Sequence, residues 1–259
     1  GGQIRLGAPV ERVVVRGGQA VGIRLETGEE VRADYVVLNA DFAHAMCKLV
    51  PDAQLKRWTP QKLEKKSFSC STFMLYLGVD KLYDEIPHHS IIFADDYKRN
   101  VDEITRSMSL SEDPSIYIQN PSVTDPTLAP EGHSTIYILV PIANNRSGID
   151  WPAVQGRYRD KVLEIAETRG GLTDLRQHIV FEHFWTPLDI AEQYYSNKGS
   201  IYGVAADRWK NLGFKAPKQS ERYDNLFFVG GSVNPGGGMP MVILCGQNVA
   251  KKIVAWNGG

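Results

Sequence analysis

The N-terminal part of the chain alternates apolar and polar positions with the period of β-strands. Residues 10–15 are rich in valine, residues 20–26 alternate apolar with polar side chains, and a turn at 27–29 leads into a return strand at 30–32. Residues 35–38 are instead continuously apolar, which is typical of a strand buried on both faces. These patterns predict a small β-unit followed by a buried strand.

The middle of the chain alternates predicted strands and helices without an internal repeat. Helical periodicity predicts helices at 96–108 and 151–168, the second with Pro152 in the first turn, where proline is tolerated. Asp41 is the expected N-cap of a short helix that ends before Pro51. Strand patterns occur at residues 69–79, 90–94, 115–119, 134–141 and 178–185. We therefore expect an α+β protein.

The C-terminal segment places a strand, a glycine-rich loop and a helix in direct succession. The buried-strand pattern at 225–229 is followed by Gly-Gly-Ser at 230–232 and by a Gly/Pro loop at 233–238. A helix is predicted from Met239 to about Trp256. Glycine has no Cβ atom, so such a loop lets the backbone lie against a flat or charged ligand and adopt positive φ.

The start of this last helix has the character of an anion-binding site. Pro240 costs nothing in the first turn, because the N–H group that it lacks would have no partner there. The N–H groups of Met241 and Val242 are expected to point out of the helix start, where the macrodipole favours negative charge. The same spacing also suits a glycine-rich turn that leads into a packed helix. Neither GxxxxGK[ST] nor GxGxxG opening a helix is present.

Composition narrows the functional classes by exclusion. The 259 residues are 42% apolar and 23% charged, which excludes a disordered chain. A net charge of -1 gives no global field for nucleic acid, so we expect no nucleic-acid partner. Three cysteines, far apart and without a CxxC pair, favour a reducing compartment. No signal peptide or membrane-spanning run is recognised, and we therefore expect a cytoplasmic location.

The histidines and cysteines give little reason to expect a metal or a nucleophile. His178 and His183 fall on one predicted strand, where their odd separation puts them on opposite faces, so they cannot share a metal. The pair His88–His89 follows a proline in a predicted loop. Cys245 has apolar neighbours on the last helix, which favours a packing role. We expect no metal site.

Three segments resemble a known family. Residues 221–253, ERYDNLFFVGGSVNPGGGMPMVILCGQNVAKKI, are similar to the C-terminal FAD-binding segment of bacterial carotenoid (phytoene) desaturases, within the amine-oxidase-like flavoproteins. Residues 122–142, SVTDPTLAPEGHSTIYILVPI, resemble the substrate-domain loop and strand of that family. Residues 4–25 and 33–41 resemble the β-unit that contacts the adenine end of FAD. The matches follow the family's order along the chain.

The resemblance implies a fold and a division into domains. The expected fold is α+β, with a partial FAD-binding domain and a substrate domain whose mixed sheet is covered by helices. Residues 1–50 would form a β-unit of the FAD domain, residues 51–219 the substrate domain, and residues 220–259 the last strand and helix of the FAD domain.

The resemblance also implies the residues that hold the cofactor. The backbone of Val10 would meet the adenine, and the loop after the last strand would follow the ribityl chain and pyrophosphate. The helix start would lie under the pyrimidine edge, where a reduced flavin carries negative charge around N1 and the C2 carbonyl. The amide that meets this carbonyl is expected at Met241 or Val242. The full set is Val10, Gly230, Gly231, Ser232, Gly238, Met239, Pro240, Met241 and Val242.

The implied reaction is FAD-dependent desaturation of a carotenoid-like polyene. A hydride passes to the flavin, a proton leaves the neighbouring carbon, and an external acceptor reoxidises the cofactor. An enzyme that draws such a substrate from a bilayer needs peripheral membrane contact. No catalytic acid or base is identified. Two alternatives remain: a related flavoenzyme with retinoid saturase-like or amine oxidase-like activity, or a non-catalytic fragment without flavin.

The chain departs from the family in one large respect. Family members are longer and open with a βαβ dinucleotide-binding fold that carries GxGxxG, and no such motif is present here. The resemblance therefore implies an N-terminal dinucleotide-binding half as a partner. We hypothesise that the chain alone binds FAD weakly or not at all, and isolation of a yellow protein with stoichiometric flavin would refute this.

The middle region is rich in aromatic side chains. They suit a long apolar tunnel for a polyene and an ordinary hydrophobic core equally well, and the sequence alone leaves both open. The residues concerned are Phe68, Phe73, Met74, Tyr76, Phe93, Tyr117, Tyr137, Phe184, Trp185, Tyr194 and Tyr195.

Overall fold

The computed structural model describes residues 2–51, 55–205 and 215–257, which divide into two compact units. The first unit comprises Gly1–Ser69, Tyr194–Asn197 and Ile201–Gly259, and the second comprises Cys70–Gln193 and Lys198–Ser200. The assignment of cofactor binding to one part of the chain and substrate binding to another stays a prediction.

Strands and α-helices are interspersed along the described residues. The strands are β1 (Val10–Arg16), β2 (Gln19–Leu25), β3 (Glu30–Arg32), β4 (Val36–Leu38), β5 (Ser71–Val79), β6 (His89–Ile92), β7 (Ile116–Gln119), β8 (Ser134–Ile142), β9 (Ile179–Trp185) and β10 (Leu226–Phe228). The α-helices are α1 (Phe42–His44), α2 (Pro60–Glu64), α3 (Tyr97–Thr105), α4 (Trp151–Thr168), α5 (Pro187–Gln193) and α6 (Met239–Asn257).

The first unit contains a three-stranded antiparallel sheet, in the order β1-β2-β3, and a parallel pair of strands, β4 and β10. The side chain of Asn225 joins them. Its Nδ2 group donates to the carbonyl oxygens of Ala20 (2.6 Å) and Asp34 (2.8 Å), and its Oδ1 atom accepts from Ala20 N–H at 3.1 Å. One side chain thus ties the residue before β10 to strand β2 and to the segment that leads into β4.

Strand β4 differs from the sequence prediction of burial on both faces. Val36 and Leu38 are buried in the core of the first unit, whereas Val37 is 44% exposed. The reason is that Val37 faces a cavity rather than packed side chains. The predicted helix after Asp41 is present, but only α1 is α-helical, and the chain continues as a π-helix over Ala45–Leu49.

The second unit contains a five-stranded sheet in the order β6-β7-β8-β5-β9. The α+β class is confirmed. Every pairing in this sheet is antiparallel, so the prediction of a mixed sheet is wrong for this unit. Parallel pairing occurs instead between β4 and β10 of the first unit. The strict alternation of buried and partly exposed residues along β8 reflects an antiparallel sheet with one packed face. Helix α4 contributes Trp151, Tyr158 and Val162 to the core on that face.

No helix in the described part of the chain combines the length and the apolar character that crossing a membrane requires.

Candidate functional site

A cavity of about 950 Å³ opens in the first unit. Its wall includes Val10 of β1, Val37 of β4 and Asn39, which follows β4. His44 and Tyr195 also line it, with their ring centroids 5.2 Å apart. The cavity volume is in the range of sites that hold small molecules and cofactors.

Asn39 connects this cavity to the glycine-rich loop. Gly230 has a φ of +110°, and a Cβ atom at this position would stand 2.7 Å from Asn39 Oδ1. Only glycine adopts this conformation without strain and leaves the Asn39 side chain its space. The structure thus brings the carboxyl end of β10 beside the wall of the cavity.

The loop then folds back beside the start of helix α6. A Cβ atom at Gly231 would lie 3.6 Å from Gly237 Cα and 3.9 Å from Val242 Cγ2, both ordinary contact distances. Gly238 has a φ of +101°, and no other heavy atom approaches its Cβ position within 4 Å. The backbone at Gly238 is therefore open to a neighbouring group immediately before the helix.

The structure distinguishes the two amides that the sequence leaves as alternatives. The N–H group of Val242 donates to Gly238 O at 3.0 Å as the first bond of helix α6, so the expectation that it points outward is wrong. Pro240 has no N–H group. The N–H group of Met241 has no acceptor among the described residues. Met241 is accordingly the residue whose amide is available at this helix start.

Ser232 uses its side chain within the protein. The residue is buried, and its Oγ atom accepts a hydrogen bond from Phe42 N–H at 2.9 Å, which satisfies a free amide at the start of helix α1. The contact of Ser232 with a cofactor stays a prediction.

The residues predicted to bind FAD all lie in the first unit. Val10 lines the cavity, Gly230 and Gly231 follow β10, and Met239 and Met241 are 81% and 39% exposed at the start of α6. We call the following residues together the cofactor track: Val10, Asn39, Gly230, Gly231, Gly238, Met239 and Met241. Its role in FAD binding stays a prediction.

The sequence indicates Asp41 only as a helix cap, but its carboxylate also contacts a residue that is distant in the sequence. Its Oδ1 atom accepts from His44 N–H at 2.9 Å and from Asn197 N–H at 3.4 Å. Burial raises the pKa of Asp41, and burial lowers the pKa of His44 from its ordinary value of 6.5. His44 therefore presents a neutral imidazole to the cavity at neutral pH.

The lowered pKa of His44 predicts a pH dependence of stability. The imidazole of His44 becomes protonated at a higher pH in the unfolded chain than in the folded chain. The contribution of His44 to stability is therefore lost as the pH falls below about 6.5. We expect the free energy of unfolding to fall less between pH 7.5 and 5.5 in a His44→Gln variant than in the native chain. Urea unfolding at the two pH values measures this. The raised pKa of Asp41 acts with the opposite sign in both proteins. Because the charge of His44 lowers the pKa of Asp41 in the native chain, its removal in the variant changes the comparison in the same direction, and equal losses would contradict the prediction.

The second unit presents a sheet face without formal charge. Strand residues alternate between the core shared with α4 and the opposite face, which is partly exposed. Cross-strand partners place the same set on that face, and none of these described residues is Asp, Glu, Lys or Arg. They are Met74, Tyr76, Gly78, His89, Ile91, Tyr117, Gln119, Thr135, Tyr137, Leu139, Phe181, His183 and Trp185.

Rings on this face form a continuous row across the sheet. Adjacent centroids are separated by 6.1 Å from Trp185 to His183, 6.2 Å from His183 to Tyr76, 5.3 Å from Tyr76 to Tyr137, 6.2 Å from Tyr137 to Tyr117 and 5.9 Å from Tyr117 to His89. We call these residues the aromatic row. Because neighbouring strands lie about 4.8 Å apart, a row across all strands of this sheet extends about 19 Å.

The predicted aromatic set therefore divides between core and surface. Phe68 and Phe73 are buried in the cores of their units, whereas Phe93 is exposed. Tyr194 and Tyr195 line the cavity of the first unit. The members on the uncharged face are Met74, Tyr76, Tyr117, Tyr137 and Trp185.

The remaining chemically notable residues have structural partners. His178 Nδ1 lies 2.8 Å from Asp80 Oδ1. Cys245 is buried, as its apolar neighbours predict, and its thiol donates to Asn234 O at 3.3 Å. Among the described residues there is no group of three His, Cys, Asp or Glu side chains that could hold a metal ion.

Sequence relatives support the expected resemblance. The chain is 48% identical to a 4,4'-diapolycopene oxygenase of Methylomonas sp, over 98% of this chain and 51% of that protein. It is 42% identical to a 4,4'-diapophytoene desaturase (4,4'-diapolycopene-forming) of Methylomonas sp, over 98% of this chain and 49% of that protein. The chain thus spans about half the length of the curated relatives it matches. The similarity to carotenoid desaturases is confirmed.

Solved structures support the fold. One is an oxidoreductase from Methanosarcina mazei. The match covers 95% of this chain and 49% of that structure, with a TM-score of 0.60 and 14% identity. Cyclohexylamine oxidase from Brevibacterium oxydans matches 98% of the chain with a TM-score of 0.57 and 13% identity, again over 49% of that structure. At these identities the likeness concerns the fold alone.

A family model covers almost the whole chain. The model described as flavin containing amine oxidoreductase matches residues 1–254. The expectation of a flavin cofactor is thereby confirmed for the family. This chain belongs to the flavin containing amine oxidoreductase family.

Proposed function

We propose that the chain is the C-terminal part of an FAD-dependent oxidoreductase that dehydrogenates a carotenoid-like polyene. The observation that carries this proposal is the uncharged aromatic row, which suits a long apolar substrate. The names of the relatives, 4,4'-diapophytoene desaturase and 4,4'-diapolycopene oxygenase, support the same substrate class.

The cofactor track fits the requirements of a flavin. Gly238 leaves space at the backbone immediately before helix α6, and the Met241 amide is available at the positive end of the helix dipole. This amide would donate to the electron-rich oxygen of the pyrimidine edge, while the backbone of Val10 would meet the adenine in the cavity. When bound, FAD supplies the redox chemistry by accepting a hydride from the substrate.

These features assign cofactor binding and substrate binding to different parts of the chain. Residues 1–50 and 220–259 would hold the cofactor, together with an N-terminal dinucleotide-binding half. Residues 51–219 would hold the substrate. Because a polyene resides in lipid, this function also implies peripheral contact with a membrane.

The sheet face favours a polyene over an amine. The face offers an ammonium group no carboxylate among its described residues, and cation–π contacts with its rings offset only part of the cost of taking that charge out of water. An apolar substrate avoids this penalty, and its conjugated carbons can lie against the rings of Tyr76, Tyr137 and Tyr117.

Product analysis tests the proposal. The naturally encoded full-length protein, reconstituted with FAD, would be incubated separately with a polyene hydrocarbon, a retinoid and a primary amine. We expect the polyene to absorb at longer wavelength as its conjugation lengthens, with no turnover of the other two. Reduction of the retinoid or oxidation of the amine would instead identify a related flavoenzyme. A protein that binds no flavin would indicate a non-catalytic role.

A further inference from the structure

The two ends of the aromatic row differ in their polar chemistry. At the β9 end, Trp185 Nε1–H donates to His183 Nε2, so the indole has a partner within the row. At the β6 end, His89 Nδ1 lies 2.7 Å from Tyr117 Oη. Both His89 and Tyr117 belong to the uncharged face.

A count of hydrogens shows that one donor is left over at the β6 end. A neutral imidazole carries one N–H group and Tyr117 carries one O–H group, and their mutual bond uses one of these hydrogens. If Tyr117 donates, His89 Nε2–H is unused. If His89 donates, the hydroxyl hydrogen of Tyr117 is unused. The described residues offer neither group a further acceptor.

Neighbouring side chains hold this end in place. Gln119 pairs across the strands with His89, and its Nε2 atom lies 3.2 Å from His88 Nε2. His88 Nδ1 in turn lies 2.7 Å from Thr124 Oγ1, and the rings of His88 and His89 are 4.2 Å apart. His89 is itself exposed, so the unused donor faces the surface rather than the core.

We propose that this end of the row binds the oxygen of a polyene that carries a terminal oxygen-bearing group, such as an aldehyde. The inference rests on the proposed function and narrows its substrate class. The apolar body of the molecule lies over Tyr76 and Tyr137, and its terminal oxygen accepts the hydrogen bond from the His89–Tyr117 pair. A polyene hydrocarbon lies on the same rings but leaves this donor unpaired.

Binding measurements with two probes test the inference. A polyene aldehyde and a hydrocarbon of the same conjugated length would be titrated into the FAD-loaded full-length protein, with the polyene absorbance and the quenching of tryptophan fluorescence as signals. We expect the aldehyde to bind about five- to ten-fold more tightly, the size of one hydrogen bond. The variant His89→Phe keeps the ring and should remove this preference, whereas His89→Gln, which retains a donor, should restore part of it.

The matched control is Tyr76→Phe, which keeps a ring in the middle of the same row and removes a hydroxyl that donates to Met74 Sδ at 3.9 Å. It should change the affinity for both probes by the same factor. Equal binding of aldehyde and hydrocarbon to the native protein, or an equal effect of His89→Phe on both, would overturn this inference alone. Failure of both probes to bind would overturn the proposed function with it. Thermal unfolding of each variant verifies that the sheet is intact.

Discussion

Replacement of Gly22 by alanine should destabilise the first unit by at least about 3 kcal/mol, which is near the upper end of single-residue effects. Gly22 has a φ of +145°, and a Cβ atom there would stand 2.1 Å from Val31 O and 2.9 Å from Arg32 Cα. These are backbone atoms of the paired strand β3, so no side-chain rotation relieves the overlap. Strand β2 lies between β1 and β3, and its displacement would disturb both neighbours.

The matched control for this prediction is Gly18→Ala in the turn before β2. Gly18 also has a positive φ, of +79°, but its Cβ position meets no heavy atom within 4 Å. This variant should cost only the conformational strain, about 1 kcal/mol. Urea unfolding followed by circular dichroism compares the two. Equal stabilities of Gly22→Ala and Gly18→Ala would show that the close approach of β2 and β3 is not what requires glycine.

Replacement of Met74 by lysine should reduce polyene conversion by at least about a hundred-fold. Met74 lies on the uncharged face, where it pairs with Leu139 and Trp185. A lysine is similar in length and unbranched, but a polyene that covers it must remove its ammonium group from water without a carboxylate in return. That penalty is several kcal/mol, and each 1.4 kcal/mol corresponds to a factor of ten.

The control for this variant is Met74→Leu, which keeps an apolar side chain of similar volume and should retain most of the activity. The measurement is the rate at which the polyene absorbance shifts to longer wavelength with the full-length, FAD-loaded protein. Thermal unfolding establishes that both variants fold. A folded lysine variant with native polyene turnover would remove the aromatic row from the proposed substrate site.

Much of the fold could be predicted because the signals are local. The strands β5 and β8 follow from runs of apolar and aromatic residues, and helix α4 follows from apolar residues at helical spacing. The strand, glycine loop and helix at the C-terminus are visible in consecutive residues. The requirement for glycine at position 230 is also suggested by the sequence, but the side chain that imposes it, Asn39, lies far away in the chain.

Details of the cofactor track could not be predicted because they depend on partners distant in sequence. The sequence leaves Met241 and Val242 equivalent, and only the bond from Val242 N–H to Gly238 O separates them. Ser232 stands next to glycines that suggest a ligand, yet its hydroxyl caps the helix that begins at Phe42. Val37 belongs to a uniformly apolar run, and its exposure follows from the cavity beside β4.

The sequence by itself determined the strands and helices, the glycine-rich loop before the last helix and membership of a flavoprotein family. Each of these depends on residues that are close together in the sequence. The tertiary structure alone decided which aromatic residues form a core and which form the row from Trp185 to His89. Those rings come from separate strands, and their proximity depends on the register of β6, β7, β8, β5 and β9. A shift of one residue in any pairing would turn that strand's rings to the opposite face.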